Sequence, residues 1–138
     1  MKKTILAIDN SKAIRFVLQT VLGKNFNVIT APDAFSSMQW LSKKNIPDLI
    51  IADPQLPDME DWELIEQLST SEIFNTIPIL VLSSLPKNIL DEKIIHYGIA
   101  GSFTKPFNPI EILESAKLIC SAPKINDMML NSFSSTAN

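Results

Sequence analysis

The stretch Pro47-Asp-Leu-Ile-Ile-Ala-Asp53 places four consecutive apolar residues between two acidic ones. Short apolar runs that do not alternate with polar residues are typical of strands buried on both faces of a parallel sheet. Outside this stretch, comparable and mostly apolar runs occur at residues 5–8, 27–30, 79–82 and 101–104. The sequence therefore predicts five short strands.

Each predicted strand is followed by a stretch with the period of an α-helix. The first stretch has apolar residues at Ile14, Val17, Leu18, Val21 and Leu22, which form one helical face. In the second, the residues predicted to face the core are Ala34, Phe35, Met38 and Leu41. The fifth has Asn108 as a predicted N-cap and Pro109 at the first helical position. Five strand and helix pairs predict an α/β domain, a doubly wound five-stranded parallel sheet with five helices.

Composition narrows the class of protein. The chain has 138 residues, 46% of them apolar and 20% charged, which fits one globular domain. Its net charge is −3 and its only arginine is Arg15, so the sequence predicts no nucleic-acid binding. Its apolar runs are far shorter than the roughly 20 residues that span a bilayer. No signal-peptide pattern follows Lys2 and Lys3, so we expect a cytoplasmic protein.

Cysteine, histidine and glycine are scarce. The single Cys120 and the single His96 exclude a disulfide framework and a Cys/His zinc site within one chain. Cys120 is predicted to be a core residue at the apolar end of the fifth helix. The three glycines form neither a phosphate-binding loop nor a dinucleotide-binding fingerprint.

Polar residues stand where four of the predicted strands end. Asp9 and Asn10 follow the first strand, Asp53 the third, Ser83 the fourth and Lys105 the fifth. Functional groups of doubly wound sheets gather at the carboxyl ends of the strands, so we expect these five side chains to lie at one edge.

Two carboxylates, an amide, a hydroxyl and an ammonium suit a hard cation and a phosphoryl group. Mg²⁺ binds through one or two carboxylates, waters and phosphate oxygens. The carboxylate of Asp53 could accept a phosphoryl group, while Lys105 and Ser83 would stabilise its oxygens. Each residue alone is more often a turn former or a helix cap, so the prediction depends on their combination.

With these residues in this order, the chain resembles a receiver domain of two-component response regulators over about residues 3 to 121. The matching segments are Ile5-Leu-Ala-Ile-Asp9-Asn10-Ser11, Pro47-Asp-Leu-Ile-Ile-Ala-Asp53-Pro-Gln-Leu-Pro57, Val81-Leu-Ser83-Ser84 and Thr104-Lys105-Pro106-Phe107. The resemblance implies the flavodoxin-like receiver fold with strand order 2-1-3-4-5.

The resemblance also implies a role for each residue of the site. Asp53 would be the phosphoacceptor, and Asp9, Asn10, Asp53 and the backbone carbonyl of Gln55 would bind Mg²⁺. Ser83 would be the switch hydroxyl and Lys105 the lysine that pairs with the phosphoryl group. The peptide bond before Pro106 would be cis.

By the same resemblance the protein is a signalling domain that catalyses only its own phosphorylation and dephosphorylation. Its partners would be a histidine kinase or phosphotransfer protein and a downstream protein. Neither nucleic acid nor membrane would be a partner.

Four residues depart from the family pattern. Asn10 stands where the family usually has a second acid, and Pro54 follows the phosphoacceptor directly. Asp61 replaces a glycine that usually follows the loop, so we expect an altered turn there. Ser102 stands at the position of the switch aromatic, so we expect any switch to depend on Ser83, the next loop or the fourth helix.

These departures leave an alternative open: a pseudo-receiver that acts as an interaction module without phosphorylation. A flavodoxin-like carrier and an aspartate-dependent phosphatase are weaker alternatives, because the serine- and threonine-rich loop of the first and the second acid of the other are absent.

Two further segments allow two interpretations each. The acidic residues after Asp53 would form either a solvated helix face or a surface that recognises a partner: Asp58, Glu60, Asp61, Glu63 and Glu66. We expect a receiver domain at residues 1–121 and a tail at 122–138. The tail would be either partly disordered or a short docked helix with Ile125, Met128, Met129 and Phe133 on its apolar face.

Overall fold

The computed structural model describes residues 1–122, which build a five-stranded parallel sheet and five helices. The strands are β1 (Thr4–Ile8), β2 (Asn27–Ala31), β3 (Leu49–Ala52), β4 (Ile79–Ser83) and β5 (Gly101–Thr104). They lie in the order β2-β1-β3-β4-β5, with parallel pairing throughout. Both the predicted sheet and the strand order implied by the resemblance are confirmed.

Three of the five helices begin after residues whose side chains cap them. The five helices are α1 (Lys12–Leu22), α2 (Ala34–Ser42), α3 (Glu63–Thr70), α4 (Lys87–Tyr97) and α5 (Pro109–Ser121). Ser11 caps α1, Asp33 caps α2 and Asn108 caps α5, each accepting a hydrogen bond from a backbone N–H in the first turn. These bonds satisfy donors that the helix itself leaves without a partner. The predicted N-cap Asn108 is confirmed.

The central strands β1, β3 and β4 are largely apolar because both faces of the sheet are covered. Ile5 and Ala7 pack into one core cluster, which holds residues of α1 and α5. Leu6 and Ile8 pack into the other, which holds residues of α2, α3 and α4. Successive side chains of a strand point to opposite faces, so a strand covered on both faces carries mostly apolar residues along its whole length.

Cys120 lies in the core cluster beneath α5, as the sequence predicts. Burial raises the pKa of its thiol above the usual value, which keeps the thiol neutral and unreactive. Its backbone carbonyl accepts a hydrogen bond from Nζ of Lys3 at 2.5 Å. This bond joins the residue before β1 to the last turn of α5.

One side chain predicted to face the core lies at the surface. Phe35 is 68% exposed, and Ser37 is buried on the inner side of α2 instead. Ala34, Ser37, Met38 and Leu41 follow the spacing of one helical face, and Phe35 is one residue outside it. The hydroxyl of Ser37 donates to the carbonyl of Asp33 at 2.7 Å, so its burial leaves no polar group without a partner.

Within residues 1–122 no helix is both long enough and apolar enough to cross a bilayer. The apolar tail positions Ile125, Met128, Met129 and Phe133 lie outside the described residues.

Candidate functional site

The carboxyl ends of the strands bring the predicted site residues to one edge of the sheet. Because Ile8 is paired with Ala52, the residues that follow them, Asp9 and Asp53, end adjacent strands. The backbone N–H of Asp53 extends this pairing by donating to the carbonyl of Ile8 at 2.9 Å. The N–H of Lys105 likewise donates to the carbonyl of Ser83 at 2.9 Å.

Lys105 connects the two carboxylates at this edge. Its Nζ lies 2.7 Å from Oδ2 of Asp9 and 2.7 Å from Oδ2 of Asp53. The three side chains are 14%, 3% and 14% exposed respectively. Burial alone lowers the pKa of Lys105, but the hydrogen bonds and charges of Asp53 and Asp9 outweigh it and raise that pKa. With Lys105 protonated and both acids ionised, the three groups carry one net negative charge.

The loop between β1 and α1 is fixed from two sides. Oδ1 of Asp9 accepts the backbone N–H of Ser11 at 2.8 Å. Nη1 of Arg15 donates to the carbonyls of Asp9 at 2.8 Å and Asn10 at 3.1 Å. Asn10 itself is exposed. This role of Arg15 was not predicted from the sequence, although Arg15 is the sole arginine of the chain and lies six residues after Asp9, early in the next helix.

The loop after β3 is closed by its own hydrogen bonds. Oδ1 of Asp53 accepts the backbone N–H of Gln55 at 2.8 Å. The side-chain amide of Gln55 donates to Asp61 at 3.0 Å. Pro54 is buried, and its carbonyl accepts the N–H of Trp62 at 2.9 Å. The phosphoacceptor candidate therefore stands on a constrained loop.

The turn that ends this loop has an unusual backbone conformation one residue later than the sequence suggests. The left-handed residue is Trp62, with φ 69°, whereas Asp61 does not have a positive φ. Trp62 is 7% exposed, and its ring stacks on Tyr97 of α4 with centroids 5.9 Å apart. The departure expected at Asp61 thus falls on its neighbour, whose ring is held in the core.

Acidic residues of the same loop stabilise local structure. The carboxylate of Asp58 accepts the backbone N–H groups of Ala34 at 3.0 Å and Phe35 at 2.9 Å. These two bonds, that of Phe35 first, lower the pKa of Asp58. Glu63 accepts the N–H of Glu60 at 3.1 Å. Asp58, Asp61 and Glu63 therefore have structural partners within the chain.

Ser83 and Ser102 differ in their surroundings. Ser83 is fully buried, and its hydroxyl accepts the N–H of Leu85 at 3.0 Å. Ser102 lies in β5 beside Val81 and is half-buried. The peptide bond between Lys105 and Pro106 is cis, as the resemblance implies.

The oxygen atoms at this edge suit Mg²⁺. Among residues 1–122 there is no group of three or more His, Cys, Asp or Glu side chains able to hold a metal ion, so a metal here would have at most two carboxylate ligands. Mg²⁺ commonly uses one or two carboxylates and keeps several waters. The contact of Lys105 with both Asp9 and Asp53 shows that a positive charge is accommodated beside both. Asn10 and the carbonyl of Gln55 would supply neutral oxygen atoms.

Comparison with known proteins finds relatives among two-component signalling proteins. The family model of the response regulator receiver domain matches residues 5–117. The chain is 30% identical over 135 residues to hybrid signal transduction histidine kinase D of Dictyostelium discoideum, covering 97% of this chain and 9% of that protein. It is 29% identical over 118 residues to regulatory protein VanRc of Enterococcus gallinarum, covering 85% of this chain and 49% of that protein. The chain thus spans half or less of the length of these relatives.

Among solved structures, chemotaxis response regulator CheY4 of Vibrio cholerae superimposes with a TM-score of 0.77. The two chains are 26% identical, and the match covers 86% of this chain and 99% of that one. Together, the sheet order, the acidic edge with its bridging lysine and the family match over most of the chain lead to one conclusion. The chain belongs to the response regulator receiver domain family.

Proposed function

We propose that this protein accepts a phosphoryl group on Asp53 from a histidine kinase or a phosphotransfer protein, in a Mg²⁺-dependent reaction, and signals by binding a downstream protein. The observation that carries the proposal is the bridge from Lys105 to Asp9 and Asp53, at 2.7 Å to each. We place the reaction in the cytoplasm, where ATP is available to a histidine kinase.

The chemistry follows from the positions of the charges. An oxygen of Asp53 attacks the phosphorus of a phosphohistidine, a P–O bond forms, the P–N bond breaks, and the released imidazole takes a proton from solvent. Lys105 is bonded to Asp53 before the reaction and stabilises the negative charge of the transferred oxygens.

The metal and the switch hydroxyl complete this proposal. Asp9, Asn10, Asp53 and the carbonyl of Gln55 would hold Mg²⁺, which neutralises charge on the phosphoryl oxygens when it is bound. Ser83 ends β4, whose neighbour β5 leads to Lys105. Its hydroxyl oxygen accepts the N–H of Leu85, and the hydroxyl hydrogen would be donated to a phosphoryl oxygen. Once the acyl phosphate has formed on Asp53, the domain would also catalyse the hydrolysis of that acyl phosphate.

Phosphorylation is tested with a small phosphodonor, such as acetyl phosphate, with and without Mg²⁺. Intact-mass analysis of the wild-type protein should show one added phosphoryl group that is stable in acid and labile in base. Asp53→Asn should abolish the label. Asp91→Asn is the matched control, because it makes the same chemical change on the exposed side of α4.

A pseudo-receiver is the second candidate. It is favoured by the exposed, neutral Asn10 and by the buried Pro54 directly after the phosphoacceptor position. Under this alternative the wild-type protein gains no mass with or without Mg²⁺, and a partner binds wild type and Asp53→Asn equally well. Labelling of wild type that persists unchanged in Asp53→Asn would instead refute the role of Asp53.

A further inference from the structure

Trp62 has a backbone conformation that its surroundings must maintain. It precedes α3 with φ 69° and ψ −5°, in the left-handed region that bulky side chains rarely adopt. No side-chain bond caps α3 at this position. Such a conformation persists where neighbouring contacts impose it, so the contacts of Trp62 must hold its backbone in this region.

Those contacts extend in two directions. The backbone N–H of Trp62 donates to the carbonyl of Pro54 at 2.9 Å, one residue from the phosphoacceptor candidate Asp53. Its ring stacks on Tyr97 with an interplanar angle of 13°. The backbone of Trp62 thus contacts the phosphoacceptor loop, and its side chain contacts the last residue of α4.

A charged side chain of α4 adds to this contact. Nζ of Lys93 lies 5.7 Å from the ring centroid of Trp62 and 5.6 Å from that of Tyr97. Both distances fall within the range of cation–π attraction. His96 packs edge-on against Tyr97 with centroids 4.6 Å apart. The Trp62 ring therefore lies beside Lys93 and Tyr97, and Tyr97 in turn packs against His96.

We propose that Trp62 is a positioning residue that connects the phosphoacceptor loop to helix α4 through its stack on Tyr97. A change in the loop at Pro54 moves the backbone of Trp62, and the ring then shifts against Tyr97 and Lys93. The left-handed backbone gives the connection two states, because φ can return to the more favourable region only if the ring leaves its stack. This inference rests on the proposed function only in taking Asp53 as the input.

The connection offers a physical route for the signal that position 102 cannot supply. Ser102 is too small to fill a space that an aromatic ring would occupy. The Trp62 and Tyr97 rings are already in contact, so they transmit a displacement without any side chain crossing the sheet edge. The surface that changes is the one formed by Lys93, His96 and Tyr97.

The connection can be tested without phosphorylation. Pro54→Ala perturbs the loop, and amide chemical shifts of residues 93–97 report on α4. We expect these amides to shift when the substitution is made in the wild-type background. In a Tyr97→Leu background the same shifts should be largely lost, because leucine has no ring to stack on the indole of Trp62. Tyr97→Phe keeps the ring and should restore the wild-type response.

A second arm uses Mg²⁺ and beryllofluoride as the phosphoryl mimic. The chain has two tryptophans, so Trp40→Phe makes Trp62 the only one. In that background we expect the mimic to change Trp62 emission and to shift the amides of residues 93–97. Tyr97→Leu should remove the amide response and leave binding of the mimic in place.

The possible outcomes separate the two proposals. A response of α4 that is equal in Tyr97→Leu and wild type, or no response to Pro54→Ala in either, overturns the connection. Failure of beryllofluoride to bind, with the Pro54→Ala response intact, refutes the proposed function and leaves the connection standing. If Tyr97→Leu does not fold, Trp62→Phe serves as the second variant, because it reduces the ring area stacked on Tyr97 but keeps an apolar ring.

Discussion

The carboxylate of Asp58 accepts the backbone N–H of Phe35 at 2.9 Å, so the loop that carries Asp53 is attached to the first turn of α2. The same carboxylate accepts the N–H of Ala34 at 3.0 Å. A negative charge is favourable at the start of a helix. The relationship links two segments that are 23 residues apart in sequence.

Asp58→Asn should lower the urea midpoint of unfolding, because an amide carries no charge and can offer only one acceptor oxygen. The pKa of Asp58 is lowered in the folded state, by Phe35 first and Ala34 second. Its stabilising effect is therefore present above the usual carboxyl pKa and is lost as pH falls through the lowered value. The difference in urea midpoint between wild type and variant should be constant near neutral pH and vanish in acid. A difference that grows in acid would contradict this account.

Lys105→Met should slow phosphorylation by acetyl phosphate about hundredfold, the effect typical of losing one group that stabilises a transition-state oxyanion. The two carboxylates would also lose the cation between them. Lys87→Met is the control, because Lys87 forms an exposed surface pair with Asp91. The measurement is the initial rate of mass increase at saturating Mg²⁺. Equal rates for wild type and Lys105→Met would exclude a role for the lysine in the reaction.

Asn10→Asp should tighten Mg²⁺ binding, because a carboxylate is a better ligand for a hard cation than an amide. We expect about a fivefold gain, on the order of 1 kcal/mol for one added charge near a surface. Mg²⁺ titration followed by tryptophan fluorescence measures it. Asn25→Asp, in an exposed turn after α1, controls for the change in net charge. Equal or weaker affinity of Asn10→Asp would show that position 10 does not bind the metal.

Gly98→Ala tests the end of α4, where Gly98 has φ 66° and ψ 38°. An added Cβ would meet no heavy atom within 4 Å, so the cost is purely conformational. We expect a loss of about 1 kcal/mol in the free energy of unfolding. Gly98→Asn should lose less, because asparagine tolerates the left-handed region. Chemical denaturation of the three proteins gives the comparison, and equal stability of glycine and alanine would contradict it.

The strands and helices could be predicted where one local property of the sequence determines the structure. Runs such as Leu49–Ala52 are apolar throughout, and that pattern is typical of a strand covered on both sides. The ends of parallel strands share an edge, so the positions of Asp9, Asp53 and Lys105 followed from chain order. Phe35 was wrongly predicted to face the core, because an aromatic residue at the start of a helix looks apolar whichever way the helix is rotated.

Contacts between distant segments could not be read from the sequence. Nothing near Asp58 indicates that its carboxylate accepts N–H groups from α2. The stack of Trp62 on Tyr97 likewise depends on how α4 lies against the loop, which is a property of the folded chain. Such contacts are set by packing between elements, for which local periodicity carries no signal.

The hydrogen bond from Lys3 to the carbonyl of Cys120 has a practical consequence for labelling. It holds the start of β1 beside the end of α5, whereas Asp53 lies at the opposite ends of the strands. Five residues of β1 separate the two ends of the sheet by about 15 Å. A fluorescent protein or affinity tag joined before Met1 or inserted after Ala122 therefore starts from the side of the sheet that faces away from the phosphoacceptor. Either fusion should leave acetyl phosphate free to reach Asp53.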